Sequence, residues 1–151
     1  MALTADRNTP RAEGDLRQGG LAAAVVVFAG ALVMRNSSGY LTKGAAATGA
    51  VGVGRAGERK TGGANAGDEA LYYQAGIFRF DNSTSGDLIA TTDVGKPCYV
   101  VDDAKVAKTD GSGTRSIAGF IDGVDSQGVW VRFDEVLARA YVAGVTLPEA
   151  D

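Results

Sequence analysis

This sequence predicts a mainly β fold, a small barrel or sandwich of short antiparallel strands, with an extended N-terminal arm and one short C-terminal helix. Three observations predict it. Short apolar segments recur along the chain, and clusters of Gly, Asn, Asp and Ser separate them. Glycine is abundant and proline scarce, 22 against 3 in 151 residues, which suits many tight turns between strands better than a linker. Helical periodicity is confined to the last twenty residues. The length is that of one ordinary domain, divided here into an arm over residues 1–24, a β domain over 25–133 and a helix with tail over 134–151.

Residues 1–20 have no period, and Pro10, Gly14 and the Gly19-Gly20 pair break any helix. They read either as a loose terminus or as an arm that orders on a neighbour. Val25–Phe28 and Ala31–Met34 are apolar, and Asn36-Ser37-Ser38-Gly39 then turns the chain into Tyr40-Leu41-Thr42, a hairpin signature. Val51 and Val53 alternate with Gly52 and Gly54, a strand with little bulk on one face. Glu58–Asp68 is a polar loop. Leu71–Gln74 and Ile77–Phe80 read as one strand with a bulge at Ala75-Gly76. Cys98–Val101 is a strand returning near Val106, and Ile117–Val124 is another. Asp125–Gly128 then turns into Val129–Phe133, whose alternation puts Val129, Val131 and Phe133 on one face and Trp130 and Arg132 on the other. Asp134 caps Glu135–Ala143, with Val136, Leu137, Ala140 and Tyr141 as the apolar stripe and Gly144 as the stop. Gly30–Asn36 and Gly95–Asp102 echo each other: glycine, apolar strand, Asn/Asp turn, return, then a small glycine-containing strand.

Composition excludes much chemistry. The chain has no His, which removes the commonest general base, Ser–His and Cys–His pairs, and imidazole metal sites. One Cys, Cys98, allows no intrachain disulfide, and its apolar strand marks it as a buried, inert thiol. The net charge of −3 argues against coating nucleic acid. Charge is unevenly placed: residues 35–60 carry five basic and one acidic side chain, 5 − 1 = +4, and residues 81–151 carry six basic and twelve acidic, 6 − 12 = −6. Leu21–Met34, 14 residues, is too short to span a bilayer, which takes about 20. A buried strand fits it better than a signal peptide, because Asp6, Glu13 and Asp15 interrupt the basic stretch before it.

The motifs that look chemical read as structure. Gly52–Gly57 matches G-x-G-x-x-G, yet Glu58–Gly67 cannot form the helix that would hold a pyrophosphate. Asp102, Asp103, Asp110, Asp122 and Asp125 lack calcium-loop spacing and sit in turns, where Asp bonds its own backbone. No G-x-S-x-G elbow occurs. No cofactor or metal is expected. Tyr72, Tyr73, Phe78, Phe80 and Trp130 read as core, with a subunit interface as the functional alternative.

Several segments, in order, carry a resemblance: Met1–Arg11 with Glu13-Gly14, Phe28–Val33, Val53–Arg59, Gly76–Asn82, Val94–Asp103 and Gly119–Val131. Across roughly residues 1–133 the chain resembles the small capsid cement, or decoration, proteins of Mu-like tailed bacteriophages. The segment from Asp134 onward lies beyond the shared pattern. The resemblance implies a non-enzymatic virion protein, made in the bacterial cytoplasm and bound outside the icosahedral head. It would sit as a homotrimer at local threefold positions and clamp the major capsid protein against packaging pressure, with neither nucleic acid nor membrane as partner. In that setting Leu3 adds apolar contact and Arg7 and Arg11 pair with acidic lattice residues. Two other classes stay open: a virion-surface module binding carbohydrate through Trp130, and a small enzyme built on Asp102 and Asp103.

Overall fold

The structure, a computed structural model, describes residues 2–144. Twelve strands and one helix follow in chain order: β1 (Leu16–Gly20), β2 (Val26–Val27), β3 (Leu32–Arg35), β4 (Leu41–Lys43), β5 (Val51–Ala56), β6 (Lys60–Thr61), β7 (Ala70–Gln74), β8 (Ile77–Phe80), β9 (Pro97–Val100), β10 (Val106–Ala107), β11 (Ile117–Asp125), β12 (Gly128–Arg132) and α1 (Glu135–Val142). Ten strands form one sheet whose main path is β1-β7-β5-β11-β12-β8, with β3 and β4 attached to β5 and β9 and β10 to β11. The short β2–β6 pair stands apart. The sheet folds over itself in sandwich fashion and does not close into a barrel. The described residues contain no helix long and apolar enough to cross a membrane.

The continuous apolar run Ala31–Met34 places its side chains on both faces. Leu32 and Met34 join one cluster with Phe80, Cys98, Val100, Ile121, Val129 and Val131, whereas Val33 joins Leu21, Val27, Leu41, Val53, Leu71 and Tyr73 in another. A strand covered on both sides has no polar face to show, which is why β3 reads as an unbroken apolar stretch. A third, smaller cluster of Val51, Ile117 and Ala138 seats α1.

The sequence echo is a real structural repeat. The hairpins β3–β4 and β9–β10 occupy equivalent positions, β3 pairing antiparallel with β5 and β9 with β11. Each of those outer pairings carries a register shift, at Val33/Met34 and at Ile117/Gly119. The two units meet in parallel where Val51 lies opposite Ile117. Gly52 sits at this junction, where a Cβ would strike the Ala118 carbonyl, and Gly54, at φ +152°, would put one into the Gln74 carbonyl. Close backbone approach thus accounts for two glycines of the G-x-G-x-x-G match.

Three expectations are corrected here. Residues 71–80 are not one bulged strand: β7 pairs with β1 and β5, β8 pairs with β12, and Gly76 at φ +139° carries the crossing. The arm does not run to residue 24, because Leu16–Gly20 is a strand paired residue by residue with β7 and Leu21 is fully buried. The helix forms where expected, Asp134 Oδ1 accepting from the Leu137 amide at 3.1 Å. Its buried residue, however, is Ala138, while Val136 and Leu137 are exposed and half-exposed Tyr141 rests edge-on against Phe120. Alanine alone is small enough for the helix backbone to come down onto Val51 and Ile117.

Candidate functional site

The arm that precedes β1 comprises residues 2–15, all exposed. Its last residue is tied to the body, the Asp15 carbonyl accepting from the Ala75 amide at 3.1 Å. Leu3 is 70% exposed, Arg7 is exposed, and Arg11 pairs only with its near neighbour Glu13. The three residues assigned to the arm therefore stand on a segment with no core of its own. Extended, residues 2–14 reach up to about 45 Å.

The five aromatic residues assigned to a core or interface divide. Tyr73 and Phe80 are buried, and Phe80 packs edge-on against Phe133 with ring centres 5.9 Å apart. Phe78 is half-buried beneath the Arg55 guanidinium, 4.4 Å from its ring centre. Tyr72 and Trp130 are not core: they are 44% and 37% exposed. Trp130 lies opposite Arg79 on β8, and the guanidinium sits 5.4 Å over its ring. Its indole N–H donates to Asp125 Oδ2 at 2.9 Å, and that bond is the first cause holding the Asp125 carboxyl below the usual range. One ring face and the indole donor are therefore already engaged.

A groove of about 550 Å³ runs between α1 and the 109–116 loop and is lined by residues that include Tyr99, Asp110, Arg115, Ser116, Arg139 and Tyr141. Three of its polar side chains have partners. Ser116 Oγ donates to the Ala47 carbonyl at 2.6 Å and accepts from the Ala50 amide at 3.1 Å. Arg115 bonds Asp87 at 3.2 Å and the Thr109 carbonyl at 3.1 Å, and Arg139 bonds Glu135 at 3.0 Å. Burial, reinforced by neighbouring Tyr141, raises the Tyr99 phenol. A hydroxyl with both its donor and acceptor roles filled has no base to activate it.

Four further titratable groups hold local structure or lie in the core. Cys98 is fully buried in β9, and desolvation pushes its thiol up to about 12. The Asp93 carboxylate, 3% exposed, accepts from the Ala90 amide at 2.8 Å and is flanked by Lys96 and Lys108 at 3.3 and 3.7 Å. Asp102 Oδ1 accepts from the Ala104 amide at 2.8 Å and Asp125 Oδ1 from the Gln127 amide at 2.8 Å, the local turn bonds for which Asp is favoured. Among the described residues no three of His, Cys, Asp or Glu converge as a metal site.

Two exposed apolar faces gather residues that the sequence named only as a helix stripe or as core-or-interface aromatics, together with others it did not single out. The first surrounds α1: Val136, Leu137, Tyr141 and Val142 are each at least half exposed, and Leu137 meets Val94 and Phe120 around a depression of about 350 Å³. The second lies beside β1 and β7, where Leu16 and Tyr72 line a depression of about 450 Å³ with Arg55 and Ala29, next to exposed Phe28. Arg59 covers the Phe28 ring at 4.9 Å. The signal available was the alternation of β7, where Tyr72 and Tyr73 must point to opposite faces. No family model, curated protein or solved structure matches this chain.

Proposed function

We propose that this chain is a non-enzymatic structural protein of a tailed-phage virion. It binds the outer surface of the icosahedral head as a homotrimer at threefold positions and holds the major capsid protein lattice against packaging pressure. The observation that carries the proposal is the arm over residues 2–15, exposed throughout yet rooted in a strand of the main sheet. Such a segment gains order only by lying on another surface. The sequence resemblance to cement proteins points to the same use. Leu3 supplies apolar contact and Arg7 and Arg11 meet lattice carboxylates. Three arms on one trimer act together, so each contact can be of moderate strength.

The engaged state of Ser116, Arg115, Arg139 and Cys98 agrees with a protein that docks without transforming a substrate. A sugar-binding use of Trp130 is less favoured, since Arg79 already occupies one ring face. The test is to add protein to mature heads lacking it and image them by cryo-electron microscopy. New density at threefold positions is expected, and undiminished occupancy after deletion of residues 2–14 would refute the role of the arm.

A further inference from the structure

We infer that residues 11–13 of the arm close onto the open edge of β8 as a continuation of β1, a strap that covers the end of the main sheet. The inference goes beyond the capsid reading and does not depend on it.

β8 ends the main path of the sheet, and its outer edge is bare at two residues. The Phe133 amide donates to the Gly76 carbonyl at 2.9 Å, and Arg132 lies opposite Ile77. Backbone groups alternate in direction along a strand, so Phe78 and Phe80 face β12 while Ile77 and Arg79 face away. Asp81 faces away as well and is already engaged. Its amide donates to the Ala104 carbonyl at 2.8 Å, and its carbonyl accepts from the Val106 amide at 3.0 Å. Ile77 and Arg79 are exposed, and among the described residues no strand pairs with them on this side. An uncovered edge of this kind is a template for pairing with another chain.

The register of β1 leads the arm to that gap. Leu16 lies opposite Gln74, and the Asp15 carbonyl accepts from the Ala75 amide at 3.1 Å, so the odd-numbered residues of β1 and β7 exchange bonds. The even-numbered residues of β7 face β5, the Tyr72 carbonyl accepting from the Gly57 amide at 2.9 Å. One side of β7 and β8 therefore meets β5 and then β12, and the other side meets β1 and then nothing. Carried onward, the β1 register sets Gly14 opposite Gly76, Glu13 opposite Ile77 and Arg11 opposite Arg79. The chain bends at Gly76, with φ +139°. Gly14, at φ +80° and with nothing within 4 Å of a Cβ, is the residue free to turn with it. Arg17 Nη1 already gathers the Gly14 and Leu16 carbonyls, at 2.6 and 3.0 Å, the two that this register turns outward.

Closure forms two pairs, Glu13 with Ile77 and Arg11 with Arg79, each exchanging both N–H···O bonds. Pro10 then faces outward, where its missing N–H costs nothing. The next pair is blocked, because the Asp81 groups belong to Ala104 and Val106. Arg11 comes opposite Arg79, whose guanidinium is drawn over the Trp130 ring, and keeps Glu13 as its own partner on the same face. Residues 2–10 stay free beyond the strap.

The test reads amide exchange by NMR on the full chain. The amides of Arg11, Glu13, Ile77 and Arg79 should exchange at least about tenfold more slowly than that of Ala12, which faces outward. Those of Ile77 and Arg79 should speed up by about the same factor in a chain lacking residues 2–14. Glu13→Pro removes an N–H aimed at β8 and should release Ile77 and Arg79. Ala12→Pro removes one aimed outward and should leave them slow, as should Glu13→Ala, which keeps its N–H. Unchanged exchange in β11 checks that each variant folds. Equal exchange of Ile77 and Arg79 with and without the arm, or equal effects of the two prolines, overturns the inference. So does protection that grows with protein concentration, since a neighbouring copy would then fill the edge. No capsid enters the experiment: closure in a chain that heads ignore, or an open strap in one that decorates them, separates this inference from the capsid reading.

Discussion

Arg35 donates to the Glu135 carboxylate at 2.7 Å, a half-buried ion pair that fastens helix α1 to strand β3 across a separation of 100 residues. Burial raises the Glu135 carboxyl, but hydrogen bonds from Arg35 and Arg139 outweigh it and hold the group below the usual range. Ala138 is the helix's one buried residue, and Phe120 meets Tyr141 in a T-shaped contact at 6.2 Å. Two turns of helix have little stability alone, so this pair decides whether α1 stays down.

Glu135→Gln is therefore expected to cost about 1–2 kcal/mol, with the loss concentrated in α1. Hydrogen exchange should show faster exchange at residues 135–142 with β11 and β12 unchanged. Uniform loss across the sheet would contradict it.

The parallel junction between the two repeated units predicts a sharp contrast among glycines. Gly52→Ala drives a Cβ into the Ala118 carbonyl, whereas the site of Gly86 has nothing within 4 Å. The first substitution should cost about 3 kcal/mol or more and the second less than about 0.5 kcal/mol. Urea midpoints of the two variants measure the difference.

Cys98 should behave as part of the core. Fully buried and with its thiol pushed up to about 12, it should resist a thiol reagent at neutral pH in the native protein and react promptly once urea unfolds the chain. Fast labelling of native protein would show that β9 opens.

Asp93 links stability to acid. The Ala90 amide first, then Lys96 and Lys108, hold its carboxyl below the usual range. A carboxyl more acidic in the folded than in the unfolded chain stabilises once ionised. That contribution is present above the unfolded value of about 3.9 and is lost as pH falls through the lower folded value. Asp93→Asn should therefore be less stable than the native protein at neutral pH and converge with it near about pH 2. A constant difference between the two urea midpoints across that range would contradict this.

Much of the architecture was legible because local chemistry decided it. The Asn36–Gly39 turn, the alternation of Val129, Val131 and Phe133, and the Asp134 cap each depend on a few neighbouring residues. What escaped depended on distant parts of the chain. β1 looks like loop because every residue after Leu16 is polar or glycine, and only β7 makes it a strand. The split at Gly76 is set by competing partners, β5 and β12, that lie far away in sequence. Tyr72 and Trp130 looked like core because aromatic type reports buried area and not side. Val136, Leu137 and Tyr141 are at least half exposed, because the helix turns Ala138 and not that stripe onto Val51 and Ile117.

The most direct measurement is occupancy of mature heads by native protein and by protein lacking residues 2–14, read from cryo-electron density at the threefold positions. Native protein should fill those positions, and the shortened chain should fold and form trimers yet leave them largely empty. Heads that take up neither protein, or both equally, would contradict a molecule that works by laying its arm across a shell.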